Sequence, residues 1–196
     1  DPQTRFRAVR RSVVKELAGV SDSIVDSLMG LWSETQAQVL QLYTCAATAY
    51  FTYLRLDNTG TSDVDDNNIT ATLRLLQLLV RHGVEMQHAL TSEFATSPSF
   101  AWQRIVPQLF ARLSHPSVYV QEQVQSLLNR ISQVAPHLIV YPAVVGAEDE
   151  SLAEDSETRV SPVESTPSAA KIAFRAIKYS LQSHSPELVD QVHGFI

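Results

Sequence analysis

The sequence predicts an all-α protein, and three observations support this fold class. Apolar residues recur at intervals of three and four along most of the 196 residues, which is the spacing of one helix face. No stretch that alternates strictly between apolar and polar residues is bounded by turn residues, as a strand would be. Short connections that contain glycine or proline, such as Gly83 and the segment 114–116, separate the apolar stretches.

The helices can be placed by their apolar stripes and by the residues that start and stop them. In chain order the predicted helices span 3–18, 21 or 23 to 56, 67–82, 84–94, 100–113, 117–134, 136–145, 169–181 and 186–196.

The first three helices follow from capping residues and apolar spacing. Gly19 follows the end of the first helix, and Asp22 lies where a carboxylate favours the start of the second. The second helix has about twice the common length, so we expect it to lie along neighbouring helices. Asn67 is predicted as the N-cap of the third helix. That helix carries leucine on nearly every side, which predicts deep burial.

Prolines guide the prediction in the second half of the chain. Pro107 lies inside the stretch 100–113, where it removes a backbone donor, so we expect a kink just before it. Pro136 suits the first position of the next helix, and Pro142 is expected to interrupt that helix. Pro186 likewise suits the first position of the last helix.

Successive helices joined by short turns, with apolar stripes on both partners, are typical of an α-solenoid. The expected architecture is a stack of antiparallel helix pairs of HEAT or TPR type. Only the unit 100–134 is clear enough to be read as one repeat. Periodicity alone therefore also leaves a globular helical bundle open.

Residues 147–168 depart from the helical pattern. They contain seven acidic residues and one arginine, a net charge of −6 that equals the net charge of the whole chain. Such a segment, rich in Ser, Thr and Pro, predicts a disordered linker or insertion. The predicted organisation is a helical-repeat segment at 1–146, this acidic linker at 147–168, and a helical pair at 169–196.

No catalytic, cofactor-binding or metal-binding residues are identified in the sequence. The six histidines never occur three or four residues apart, and the glycines are too scattered for a phosphate loop. Cys45 is the only cysteine; we interpret it as a small buried residue of the second helix, in a protein from a reducing compartment. The aromatic residues assigned to the core rather than to base stacking are Tyr43, Tyr50, Phe51 and Tyr53.

Charge and hydropathy argue against nucleic-acid and membrane partners. Outside 147–168 acidic and basic residues balance, so no overall field gathers nucleic acid or anionic lipid. No apolar run approaches the roughly 18 residues that span a bilayer. The one basic cluster comprises Arg5, Arg7, Arg10, Arg11 and Lys15. It spreads over more than one helix face, which favours a solvated surface and leaves an acidic partner or a phosphate as the alternative.

Several long runs, in the same order along the chain, resemble a known family. Residues 104–113 (RIVPQLFARL), 118–120 (VYV) and 136–146 (PHLIVYPAVVG) resemble the FAT domain of phosphatidylinositol-3-kinase-related protein kinases, with its HEAT-like helices. Residues 49–54 and 71–80 resemble it as well. The likeness is closest to the family member that acts in nonsense-mediated mRNA decay.

A weaker likeness continues towards the C-terminus. Residues 185–192 are similar to the helix that leads into the family's rapamycin-binding-like bundle. The apolar pattern is still running at Phe195 and Ile196, so we expect the chain to be a fragment.

The resemblance implies a non-catalytic scaffold segment of a Ser/Thr kinase whose kinase domain lies elsewhere in the same polypeptide. It implies ATP and magnesium for that domain, an RNA helicase as substrate, and regulatory subunits of the decay kinase complex as partners. The implied location is the cytoplasm, and also the nucleus. Inositol hexakisphosphate is a candidate ligand, with Arg104, Arg112 and Arg130 as candidates by charge alone. The alternative is a free-standing HEAT-repeat adaptor that binds protein partners.

Overall fold

The computed structural model describes residues 2–16, 19–56, 65–148 and 169–194, and the regular secondary structure within these ranges is helical. The α-helices are, in chain order, α1 (Pro2–Glu16), α2 (Asp22–Leu56), α3 (Asp65–His82), α4 (Gln87–Thr96), α5 (Val106–Phe110), α6 (Val118–Val134), α7 (Pro136–Glu148), α8 (Ala169–His184) and α9 (Pro186–His193). A 3₁₀ segment, Ser99–Ile105, lies between α4 and α5. The predicted all-α class is therefore confirmed.

The helices form two rows. One row contains α2, α4, α6 and α8, each in contact with the next along the row. The other row contains α3, the 3₁₀ segment with α5, α7 and α9. Contacts between the rows join helices that are adjacent in sequence, such as α6 with α7 and α8 with α9. This arrangement is that of an α-solenoid, as predicted.

A continuous apolar core lies between the rows. Phe51 of α2, Phe94 of α4 and Trp102 of the 3₁₀ segment form an aromatic chain, with ring centroids 5.0 Å and 5.4 Å apart. The same core continues through α6, α7 and α8 to Val189 in α9. Because one core passes through α2 to α9, each pair of helices buries the apolar stripe of its neighbours.

The predicted starts of α3 and α4 differ from the structure by two and three residues. The helix α3 begins at Asp65, so Asn67 lies inside the first turn and is not the N-cap. The helix α4 begins at Gln87, three residues later than predicted, because the chain makes a turn between Gly83 and Met86. The expected burial of α3 holds on one side only, since Leu75 and Leu79 are fully buried while Leu73 is exposed.

The prolines act differently from the prediction. Pro107 does not kink an existing helix: it is the second residue of α5, in the first turn, where its missing N–H has no helical partner to lose. Pro142 does not interrupt α7, which continues through it. Because α7 contacts α6, α8 and α9, burial on several sides offsets the lost hydrogen bond.

Gly146 lies within α7 and does not end it. The helix continues to Glu148, so residues 147 and 148 are helical rather than part of the predicted linker, while 149–168 lie outside the described residues. A Cβ at Gly146 would stand 2.5 Å from two ring atoms of Phe174. Glycine therefore allows α8 to approach α7 closely, and the Phe174 ring stacks on Phe110 with centroids 5.4 Å apart.

Candidate functional site

An open groove separates α1 from the first half of α2, and we name it the α1–α2 groove. Its wider part has a volume of about 520 Å³, and its lining includes Phe6, Trp32 and Leu40. Its narrower part has a volume of about 330 Å³, and its lining includes Val13 and Leu28. Trp32 contributes to the lining of both parts.

The groove follows from the apolar spacing of the two helices. Phe6, Val9 and Val13 lie on one face of α1 at intervals of three and four. The rings of Phe6 and Trp32 pack with their centroids 5.9 Å apart. Phe6 nevertheless remains 36% exposed and Leu28 41% exposed. The pair therefore presents apolar surface to solvent.

Of the basic cluster of α1, Arg5 and Arg7 line this groove. Arg10 donates to the Asp26 carboxylate at 3.1 Å, and Arg5 lies 3.8 Å from Glu85. Arg7 and Arg11, one helical turn apart, are exposed, and neither forms an ion pair within the described part of the chain. We predicted this basic cluster to be a solvated surface. In the structure, Arg5 and Arg10 each pair with a carboxylate, whereas Arg7 and Arg11 have no acidic partner within the described residues.

Arg130 has a structural position. Its guanidinium donates to the carbonyl oxygens of Phe94, Ala95 and Ser97 at 2.8, 2.6 and 3.0 Å, at the C-terminal end of α4, where carbonyl groups lack helical partners. The Ser97 hydroxyl also accepts a hydrogen bond from Nε1 of Trp102 at 3.1 Å. Burial lowers the pKa of Arg130 from its usual value, yet the group stays charged at neutral pH. This arginine, considered for phosphate binding by its charge, caps α4 from α6.

The other candidates from the sequence are not brought together into one site. Arg104, in the 3₁₀ segment, and Arg112, in the turn after α5, both have exposed side chains. Cys45 is exposed, so its expected burial is wrong, because Ala47 and Phe51 occupy the side of α2 that meets the core. Within the described ranges, no group of three or more His, Cys, Asp or Glu side chains could hold a metal ion.

The aromatic residues of α2 pack as predicted. Phe51 is fully buried, and Tyr43, Tyr50 and Tyr53 lie against the core with their side chains half-buried. The ring of Tyr43 lies 4.7 Å from that of His82. None of the helices in the described ranges is both long enough and apolar enough to cross a bilayer.

Sequence reasoning missed the α1–α2 groove. The signal that could have revealed it is the presence of Leu28, Leu31 and Trp32 in a helix that extends well beyond its apolar neighbours. Exposed aromatic and leucine side chains in one patch are a common feature of interaction surfaces.

Comparison with known proteins places the chain beside serine/threonine-protein kinases, although no protein-family model matches it. It is 38% identical to serine/threonine-protein kinase SMG1 of Danio rerio over 149 residues, which cover 67% of this chain and 4% of the relative. The Smg1 kinase of Drosophila melanogaster is 35% identical over 68% of this chain and 5% of its own length. The kinase TOR of rice, Oryza sativa subsp. japonica, is 29% identical over 82% of this chain and 6% of its own length. The chain thus spans only a small part of these relatives.

Proposed function

We propose that the chain is a non-catalytic helical scaffold segment, the C-terminal part of a FAT domain, in a phosphatidylinositol-3-kinase-related protein kinase. The observation that carries this proposal is the 38% identity to SMG1 over 149 residues. The two-row helical stack supports it, because a continuous core gives a rigid body against which a neighbouring domain can rest.

The proposal extends to the whole protein. Its kinase domain, bound to ATP and magnesium, would lie elsewhere in the same polypeptide and contact this segment. Because the sequence resembles the family member of nonsense-mediated mRNA decay, we expect the kinase to phosphorylate an RNA helicase in that process. Its expected partners are the regulatory subunits of the decay kinase complex, and its expected location is the cytoplasm and the nucleus. Inositol hexakisphosphate, which the family resemblance suggests as a ligand, is also part of the proposal. Of the arginines in question, only Arg104 and Arg112 have exposed side chains, since Arg130 caps α4.

The scaffold role can be tested in the intact protein by changing a buried core residue of this segment. Leu128 is fully buried in α6, so Leu128→Asp should loosen the stack. We expect it to lower phosphorylation of a Ser-Gln peptide by equal amounts of soluble kinase. Glu154→Ala, in the acidic segment, is the control and should change neither activity nor abundance. Full activity of a Leu128→Asp protein with a lowered melting temperature would contradict the scaffold role.

The isolated chain is expected to lack phosphotransfer activity. Titration calorimetry with ATP and magnesium should therefore give no saturable binding to the 196 residues. Saturable binding would instead indicate a nucleotide site within the stack and refute the non-catalytic assignment.

A second candidate, a free-standing HEAT-repeat adaptor, is favoured by the α1–α2 groove, since apolar grooves in helical repeats receive protein partners. The transcript sequence beyond the codon for Ile196 distinguishes the two candidates. A kinase domain within a few hundred codons supports the scaffold segment, and its absence supports the adaptor.

A further inference from the structure

We propose that the outer face of α2 binds α2 of a second copy of this chain, so that the two helices form an antiparallel coiled coil with two-fold symmetry. The inference goes beyond the proposed function and does not depend on it, since it rests on α2. Four properties of an exposed stripe on this helix support it: its spacing, its direction, its composition and its symmetry.

The stripe, which we name the α2 seam, has the spacing of a coiled coil. Its members follow one another at alternating intervals of four and three residues, the heptad spacing at which two helices pack along their length. All members are exposed, and they are Leu31, Thr35, Gln38, Leu42, Cys45, Ala49, Thr52 and Leu56. From Leu31 to Leu56 the seam has a length of about 38 Å at the rise of an α-helix.

The seam lies opposite the contacts that α2 makes with the rest of the chain. Ala47, Phe51 and Leu54 face the core, and Trp32 packs against α1. At the pitch of an α-helix, the seam is centred about half a turn away from these residues. A second helix can therefore approach the seam without displacing α1 or the core, and the two bodies would lie on opposite sides of the paired helices.

The composition of the seam favours contact with another helix. The chain has no charged residue from position 35 to position 54, although this stretch includes the outer face of α2. Leu42 and Leu56 are 68% and 77% exposed. The hydroxyls of Thr35 and Thr52 donate to carbonyl oxygens of their own helix, each at 2.8 Å, so they need no further partner. An uncharged, leucine-bearing face on the outside of a helix is a common feature of interaction surfaces.

The order of the residues in the seam identifies the partner as a second copy that runs in the opposite direction. One two-fold axis at the middle of the seam pairs all its members with members of the other copy. The pairs are Leu31 with Leu56, Thr35 with Thr52, Gln38 with Ala49, and Leu42 with Cys45. Leucine thus meets leucine, threonine meets threonine, and the long glutamine meets the short alanine. A parallel pair would instead place Ala49 against Ala49 and leave a gap in the packing.

The charges beside the seam agree with the antiparallel direction. Glu34 and Arg55 border the seam near its two ends. In the antiparallel pair, Glu34 of one copy lies near Arg55 of the other at both ends, whereas a parallel pair keeps the two charges at opposite ends. Because Arg55 already pairs with Glu93 of α4, this attraction contributes to the direction of pairing more than to its affinity.

The direct test is the oligomeric state of the whole 196-residue chain. Sedimentation velocity in a reducing buffer should show a reversible dimer with a dissociation constant of about 10 μM. Leu42→Glu brings two carboxylates together at the centre of the seam and should weaken the dimer at least about thirtyfold. Because Leu42 is exposed, circular dichroism should show unchanged helix content. Val118→Glu, at a comparably exposed residue of α6, is the matched control and should leave the dissociation constant unchanged.

Disulfide trapping tests the direction and the register of the pair. In a Cys45→Ser background, Gln38→Cys with Ala49→Cys should give a disulfide-linked dimer under mild oxidation, because the two positions face each other across the axis. Gln38→Cys without the change at Ala49 should stay monomeric on a non-reducing gel, since the two copies of position 38 lie about 16 Å apart along the paired helices.

Three results would overturn the proposal. They are a monomeric chain at about 500 μM, a dimer that Leu42→Glu leaves intact, and crosslinking by Gln38→Cys without a cysteine at position 49, which would indicate a parallel pair. A monomeric chain would assign the seam to a different helix, from another protein or from elsewhere in the same polypeptide.

Discussion

The first helical pair, α1 and α2, and the body from α3 to α9 bury similar apolar side chains to different extents. Leu128 of α6 is 0% exposed, whereas Leu31 of α2 is 63% exposed, although both belong to apolar patterns with helical spacing. The helix α6 contacts helices of both rows, whereas Leu31 adjoins Trp32, which packs against Phe6 of α1. Helical spacing therefore forms the helix, and the number of neighbouring helices determines how much of its stripe is buried.

Aspartate in place of leucine should give the largest difference between the two regions. Leu128→Asp places an unpaired charge in the core, and we expect it to lower the free energy of unfolding by about 4 kcal/mol. Leu31→Asp exposes its charge to water and should cost less than about 1 kcal/mol. Urea denaturation of both variants measures the difference, and equal losses would show that α2 is as enclosed as α6.

Arginine removal should give the next largest difference. Arg130→Met leaves the carbonyl groups at the end of α4 without their donor, and we expect a loss of about 2 kcal/mol. Arg10→Met breaks the exposed ion pair with Asp26 and should cost less than about 0.5 kcal/mol. Thermal unfolding of the two variants provides the comparison. A larger loss from Arg10→Met would mean that α1 is held mainly by charge.

Substitution of two glycines by alanine should change the stability by smaller amounts and in opposite directions. Gly146→Ala would bring a methyl group against the Phe174 ring and should destabilise the protein by about 1 to 2 kcal/mol. Around Gly30, in the interior of α2, no atom of a neighbouring element in the described residues lies within 4 Å of an added Cβ. Gly30→Ala should therefore stabilise the helix by about 0.5 to 1 kcal/mol. A melting temperature that does not fall in Gly146→Ala would disprove the close approach of α7 and α8.

The smallest expected effect is a dependence of the folding stability on alkaline pH, caused by Tyr119 in α6. Burial raises the pKa of Tyr119 above its usual 10.0, and the hydrogen bond with Thr91 only partly opposes this shift. Because the folded state favours the neutral phenol, its contribution is complete below pH 10 and decreases as the pH rises through the raised value. Tyr119→Phe should remove this decrease from the stability profile between about pH 9 and pH 12. An unchanged slope would indicate that another group causes it.

The sequence predicted those features that depend on local spacing. The limits of α6 differ from the prediction by one residue, and its stripe of Val120, Val124, Leu127 and Leu128 is buried as expected. The features that the sequence did not predict depend on which helices pack against each other. The exposure of Cys45 and the continuity of α7 through Pro142 are set by neighbours far along the chain.

The candidate site was less predictable than the fold for the same reason. The basic residues of α1 were visible in the sequence, but their division into paired and unpaired arginines requires Asp26 and Glu85 to be in place. Similarly, the charge of Arg130 is visible in the sequence, whereas its capping of α4 depends on a contact across 33 to 36 positions of the chain.

The arrangement of the helices in two rows also affects the folding kinetics. The main contacts between helices join elements no more than two positions apart in chain order, so the entropy of loop closure is small and folding is expected to be fast. A helix at the middle of a row is held from both sides, whereas α1 is held by α2. Amide hydrogen exchange should therefore be slowest around Leu127 in α6 and fastest in α1. The α1–α2 groove thus lies on the part of the molecule that opens first.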